Sequence, residues 1–158
     1  TGLNTMTGGR IKRIKNYIQE EPFMLTYGDG VSNINLKELL KFHQTHGKIA
    51  TVTAIRPDGR FGVLDIDENN AITKFKEKSK EDTGWINGGF MVLNPDIFNY
   101  IDGDETIFEQ TPLKQLVAEN QLAAYKHHGF WQCMDTLRDK NLLEDLWMNN
   151  KAPWKVWD

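Results

Sequence analysis

Cysteine is almost missing from this chain. Cys133 is the only one in 158 residues. No disulfide can form within the chain, and such usage fits a reducing compartment, so a cytoplasmic protein is expected. Long apolar runs are also missing. None approaches the ~20 residues that a bilayer span needs; the longest, such as Phe90–Leu93, are strand-sized. Residues 1–20 are polar and basic without an apolar centre, which excludes reading them as a secretory signal. A strong charge of either sign is missing too: 19 Lys+Arg against 22 Asp+Glu give a net charge of −3. Without a Lys/Arg block, a slightly acidic chain is a poor binder of nucleic acid. No membrane or nucleic-acid partner is therefore expected. Internal repeats and low-complexity tracts are absent.

What is present is an ordinary globular composition, 39% hydrophobic. A chain of this length buries about 70% of its unfolded surface as one domain. Ile11, Ile14 and Ile18 recur at helical spacing behind Thr7-Gly8-Gly9-Arg10, with Thr7 as the expected N-cap and Pro22 as the stop. Phe23–Tyr27 is a short apolar run halted by Gly28-Asp29-Gly30, the pattern of a buried strand. Leu36, Leu39 and Leu40 mark a helix ending near Gly47, and a second apolar run covers Ile49–Ile55. Strand, helix and strand in this space predict a βαβ unit with parallel strands. Phe61–Ile66 and Ile72–Lys76 flank the turn-rich Asp67–Asn70 and predict an antiparallel hairpin. Trp85–Leu93 and Leu122–Lys126 read as strands. Asn94-Pro95 and Thr111-Pro112 open helices, and Asp135-Thr136 opens a last helix carrying Leu142, Leu143, Leu146 and Trp147. The pattern is that of one α/β domain with a mixed sheet.

Several polar positions could carry chemistry. Asp29 directly follows a buried strand, where ligands of open α/β sheets gather. Its flanking glycines leave room for a phosphate, and a lone carboxylate there suits Mg²⁺ completed by substrate oxygens. An ordinary Asp-Gly turn has the same sequence. Asp135 is a second candidate, with a helix N-cap as its plainer role. Thr7-Gly8-Gly9-Arg10 opens a helix whose free N–H groups suit an anion or a base edge; a flexible linker has the same composition. Glu77-Lys78 ends one strand and Asn87-Gly88-Gly89 lies on the next; a solvated charge pair is the plainer reading of the former.

Other patterns fail. Asp65-x-Asp67-x-Asn69 has the start of a calcium loop, but Asn70 replaces its Gly and Lys76 its final Glu. His127-His128 with Cys133 lacks zinc-site spacing and a fourth ligand. Nothing in the sequence around Cys133 activates its thiol. The five tryptophans suit core and interface positions better than a nucleic-acid stacking platform.

Taken in order, the motifs Met6-Thr7-Gly8-Gly9-Arg10, Tyr27-Gly28-Asp29-Gly30, Gly59-Arg60-Phe61-Gly62, Phe75-Lys76-Glu77-Lys78, Ile86-Asn87-Gly88-Gly89-Phe90, Phe130-Trp131-Gln132, Met134–Lys140 and Ala152-Pro153-Trp154-Lys155 cover nearly the whole chain. Together they resemble the sugar-phosphate nucleotidylyltransferases, especially their cytidylyl branch. The resemblance implies a Rossmann-like nucleotidyltransferase fold with a mixed, mainly parallel sheet, of which residues 1–158 form the C-terminal portion. It implies the conversion of CTP and α-D-glucose 1-phosphate to CDP-glucose and pyrophosphate, with the product entering bacterial surface polysaccharide, the O-antigen of lipopolysaccharide. It places Mg²⁺ on Asp29 and Asp135, the nucleotide at Thr5, Arg10 and Gly28, and the sugar phosphate at Glu77, Lys78, Asn87 and Gly88. Asp29, Asp135 and Lys78 are then the catalytic set, with Lys78 neutralising the attacking phosphate. A homo-oligomer is expected, with the aromatic tail as contact surface.

The sequence departs from the family pattern at Ser79 and Cys133, where relatives carry Pro, and in lacking the Gly-rich Thr-Arg loop that precedes this region in the family. The chain by itself is therefore expected to be inactive. Two further readings stay open from the sequence: a glycosyltransferase using a nucleotide sugar, and a transferase-like regulatory or assembly module.

Overall fold

The computed structural model describes residues 1–18, 20–57 and 84–157 in full, and the backbone of 62–66 and 72–77. In chain order its elements are α1 (Thr7–Arg13), a 3-10 turn (Lys15–Tyr17), β1 (Phe23–Thr26), β2 (Gly30–Ser32), α2 (Leu36–His46), β3 (Ala50–Ile55), β4 (Gly62–Ile66), β5 (Ile72–Glu77), β6 (Ile86–Leu93), a 3-10 segment (Pro95–Tyr100), α3 (Thr111–Ala118), β7 (Leu122–Lys126), β8 (Trp131–Cys133) and α4 (Leu137–Met148). The chain forms two compact units. One comprises Thr1–Gly28, Ile34–Thr53 and Gly89–Tyr125; the other comprises Asp29–Asn33, Ala54–Gly88 and Lys126–Asp158.

A four-stranded sheet has the order β1-β6-β3-β7. β1 and β6 are antiparallel, with Phe23 opposite Leu93 and Thr26 opposite Phe90. The Asn94 N–H bonds to the Ile49 carbonyl at 2.8 Å, so the end of β6 lies beside the start of β3 and these strands are antiparallel too. The Ala50 N–H bonds to the Gln121 carbonyl at 3.1 Å, which joins the starts of β3 and β7 and makes them parallel. β1, β3 and β7 thus run one way and β6 the other, the mixed sheet of an α/β fold. The βαβ expectation needs one correction. β1 and β3 do run in the same direction around α2, but β6 lies between them. Met91, Val92 and Leu93 are all essentially inaccessible, so β6 is apolar on both faces and takes a central place.

Alternation along β6 divides the core of the first unit. Met91 and Leu93 join Ile11, Ala50, Ile97, Phe98, Ile101, Phe108 and Leu116 on one side. Val92 joins Ile34 and Leu39, with Phe90 and Leu40 packed against them, on the other. Helices therefore cover both faces of the sheet, as a doubly wound fold requires. α2 starts where the Asn35 side chain accepts the Lys37 and Glu38 N–H groups, and it ends at Gly47 in the left-handed conformation, φ 65°. The N-terminal helix is shorter than its periodicity predicts. It stops at Arg13, its N-cap is Met6 rather than Thr7, and no side chain caps it.

Two two-stranded ribbons, β2–β8 and β4–β5, complete the strands. β4 and β5 form the expected antiparallel hairpin, with Gly62 opposite Glu77. Its connecting residues, including Asp67, Asn69 and Asn70 of the failed calcium pattern, lie outside the described residues. Among the described residues no helix is long and apolar enough to cross a membrane.

Behind α2 the face of β3 is polar: Thr51, Thr53 and His43 are all buried. His43, His46, Thr51, Asn94 and the Lys48 backbone form a closed ring of hydrogen bonds 2.7–3.1 Å long. The Lys48 N–H donates to His46 Nδ1, and Asn94 Nδ2 donates to the Lys48 carbonyl. These two bonds fix the remaining protons: His46 Nε2–H donates to Thr51 Oγ1, the Thr51 hydroxyl to His43 Nδ1, and His43 Nε2–H to Asn94 Oδ1. The His46 pKa lies below its ordinary 6.5, because of burial first and the neighbouring His43 and Lys48 second.

The unfolded chain therefore takes up a proton at His46 before the folded one does. Its contribution is complete above pH 6.5 and is lost as pH falls from there towards the folded value. Urea unfolding is expected to show stability declining as pH falls below 6.5, with a shallower slope in His46→Gln; equal slopes would exclude the ring as its source. A second outcome concerns Gly89, at φ 78°, where an added Cβ would lie 2.6 Å from the Tyr27 ring. Gly89→Ala is expected to lose about 2 kcal/mol or more in thermal or urea unfolding.

Candidate active site

The two candidate metal ligands, far apart in the sequence, both lie just beyond the same end of the β2–β8 ribbon. Gly30 pairs with Cys133, Val31 with Gln132 and Ser32 with Trp131. The Met134 N–H extends the ladder to the Asp29 carbonyl at 2.7 Å. Asp29 is thus opposite Met134, and Asp135 is the next residue. Both aspartates are exposed. The Cys133 thiol donates to Asp135 Oδ2 at 3.2 Å.

The plainer role of Asp135 belongs to its neighbour. Thr136 is the N-cap of α4, in a reciprocal capping box with Asp139. The Asp139 N–H donates to Thr136 Oγ1 at 3.2 Å, while Asp139 Oδ2 accepts from the Thr136 hydroxyl at 2.8 Å and from its N–H at 3.1 Å. Asp139 Oδ1 accepts from Gln132 Nε2 at 3.1 Å. Asp139 is buried and used up as a brace between β8 and α4, which leaves Asp135 out of the cap.

The indole N–H of Trp131 donates to the Gly88 carbonyl at 2.7 Å. β8 thereby reaches the start of β6, where Asn87 is exposed and Gly88 is buried. Four of the candidate residues, Asp29, Asp135, Asn87 and Gly88, belong to this second unit. So does Glu77, described only as backbone paired with Gly62; Lys78 lies outside the described residues.

Thr5, Arg10 and Gly28 belong to the first unit. Thr5 is buried, and its hydroxyl donates to the Thr1 carbonyl at 2.8 Å. Arg10 is exposed and donates to Thr1 Oγ1 at 2.8 Å. An added Cβ on Gly28 would meet nothing within 4 Å, so its backbone is open to approach. The glycine loop itself is neither a linker nor an open anion site. The Met6 and Gly8 N–H groups donate to the carbonyls of Asp104 and Thr106, each at 2.8 Å. Side chains at Gly8 or Gly9 would lie 2.7 Å or less from that backbone.

Sequence reasoning missed Glu109, which fixes the other side of this joint. Its carboxylate accepts from the Thr7 hydroxyl at 2.7 Å and from the Tyr27 hydroxyl at 2.5 Å. One side chain thus ties the start of α1 to the residue before Gly28. An isolated Glu in a loop carries no signal for that role. Trp131 and Asp139 sat inside recognised motifs, but only the structure gives them partners.

Among the described residues no group of three or more His, Cys, Asp or Glu side chains is placed to hold a metal. Two exposed carboxylates at one ribbon end instead suit a hard cation that arrives with phosphate oxygens of its own.

The comparisons with known proteins bear on the family and the fold. The family model described as Nucleotidyl transferase matches residues 5–144. The chain belongs to that family. A glucose-1-phosphate cytidylyltransferase of Salmonella typhi is 52% identical over the whole of this chain, which spans 62% of that relative's length. A mannose-1-phosphate guanyltransferase of Saccharomyces cerevisiae is 34% identical over 92% of the chain and 42% of its own length. The crystal structure of HddC from Yersinia pseudotuberculosis superposes with a TM-score of 0.64 at 22% identity, covering 90% of this chain and 62% of that one. Its likeness establishes the fold.

Asp139→Asn is expected to lose about 1 kcal/mol of stability, the usual scale of a helix cap. Urea unfolding reads this loss, and an unchanged midpoint would exclude Asp139 as a brace.

Proposed function

We propose that the protein carrying this chain is a glucose-1-phosphate cytidylyltransferase, converting CTP and α-D-glucose 1-phosphate to CDP-glucose and pyrophosphate. Residues 1–158 are then one part of a single nucleotidyltransferase domain. The observation that carries the reading is the β2–β8 register, which brings Asp29 and Asp135 to one end of a ribbon. The 52% identity to the Salmonella typhi cytidylyltransferase supports the choice of substrates.

The reaction is an in-line displacement. A phosphate oxygen of glucose 1-phosphate forms a bond to the α-phosphorus of CTP. The bond from that phosphorus to the bridging oxygen breaks, and its electron pair leaves with pyrophosphate. Such chemistry needs positioning and charge neutralisation more than a protein nucleophile. Asp29 and Asp135 would hold Mg²⁺, which when bound neutralises charge on phosphate oxygens. Thr5, Arg10 and the open backbone at Gly28 serve the nucleotide. Asn87 and Gly88 serve the sugar phosphate with Glu77, and the Lys78 ammonium offsets the charge of the attacking phosphate.

The reading extends to the setting. The enzyme works in the cytoplasm, and its product feeds surface-polysaccharide synthesis. Copies associate through exposed apolar side chains of the last helix and tail, Met148, Val156 and Trp157. Trp154, by contrast, is stacked on Phe130 with ring centroids 5.5 Å apart and belongs to the unit's own packing.

Pyrophosphate release from CTP and glucose 1-phosphate by the complete protein is the direct test. Asp29→Ala should lower turnover on the order of 100- to 1,000-fold. A near-normal rate with unchanged Mg²⁺ dependence removes Asp29 from the metal site.

A further inference from the structure

We propose that Trp131 is a positioning residue for the sugar-phosphate half of this site, an inference that rests on the cytidylyltransferase reading. Trp131 lies on β8, in the ribbon that presents Asp29 and Asp135. Its Nε1–H donates to the Gly88 carbonyl at 2.7 Å. Gly88 is buried, and its neighbour Asn87 is exposed. One short hydrogen bond therefore sets where the strand offering Asn87 and Gly88 begins, relative to the ribbon offering the carboxylates.

The chemistry of the pair makes this bond directional. An indole N–H donates and cannot accept, and a backbone carbonyl only accepts, so the contact cannot reverse. Without the donor, the Gly88 carbonyl loses this partner, and the start of β6 loses the bond that ties it to β8. A displacement of Asn87 and Gly88 on this scale weakens one substrate and leaves the other untouched. Trp131 acts on the substrate through Gly88 and need not touch it.

The test uses Trp131→Phe in the complete protein. Phe keeps an aromatic ring in the ribbon and removes the donor. The expected result is a rise of about tenfold in KM for glucose 1-phosphate, with KM for CTP and the Mg²⁺ dependence unchanged. A tenfold rise corresponds to about 1.4 kcal/mol, the scale of one hydrogen bond to a buried group. A uniform fall in activity that follows the loss of folded protein, or an unchanged KM for glucose 1-phosphate, overturns the role. Should the variant fail to fold, the wild-type protein labelled with ¹⁵N-tryptophan carries the test. Glucose 1-phosphate must then shift the Trp131 Nε1–H resonance, and an unmoved resonance at saturation overturns the proposal. Wild-type protein that releases no pyrophosphate from CTP and glucose 1-phosphate overturns the reaction itself. Wild-type turnover with an unaltered Trp131→Phe variant overturns only this inference.

Discussion

The register of one three-residue ladder decides what the candidate site can be. Gly30 opposite Cys133 leaves Asp29 bonded through its carbonyl to Met134 and places Asp135 one residue beyond. A slip of one residue would turn every side chain of β8 to the other face and carry Asp135 away from its present neighbours. A ribbon this short does not hold its own register; isolated two-stranded pairs are marginal in water. The constraint comes from side chains at its rim. Asp139 binds Gln132 and Thr136 at the entry to α4, Trp131 binds Gly88, and Ser32 donates to the Phe130 carbonyl at 2.8 Å. Each bond pins β8 to a different segment.

Some polar side chains are saturated by the fold, while others stay exposed. Asp139 and Glu109 have both carboxylate oxygens engaged, and His43 has both ring nitrogens engaged. A group so occupied has little capacity for substrate. Asp29, Asp135, Arg10 and Asn87 are exposed. Charged groups kept in water avoid a desolvation cost until a ligand arrives. A highly charged ligand such as a nucleoside triphosphate with its cation supplies the opposing charge itself.

Much of the fold was legible because its signals are local. Gly47 ended α2, Leu122–Lys126 formed the expected strand, and the flanks of Asp67–Asn70 paired as an antiparallel hairpin. Sheet order was not legible, since β6 owes its central position to burial on both faces, a property of the assembled sheet. β2 and β8 are too short to announce themselves, at three residues each. Thr7 looked like a helix cap because it precedes an apolar period. It instead donates to Glu109 and accepts from the Phe108 N–H, a long-range pairing that no local pattern encodes. The candidate residues came from family motifs; what the sequence withheld were their supports, Glu109, Trp131 and Asp139.

Those supports explain why glycines crowd the motifs. At Gly8 and Gly9 a Cβ would strike the backbone of Thr106 and Asp104, so the loop is small in order to pack closely. At Gly28 the same atom would meet nothing, so packing places no demand there and the residue leaves backbone accessible. Gly89 is required by a positive φ and by the Tyr27 ring lying against it. The Tyr27 hydroxyl is fixed in turn by Glu109. Four glycines that look alike in a motif thus answer to different constraints, and only Gly28 is free of steric demand from the protein itself. That freedom separates Gly28 from Gly8 and Gly9, which form the joint that holds α1 in place.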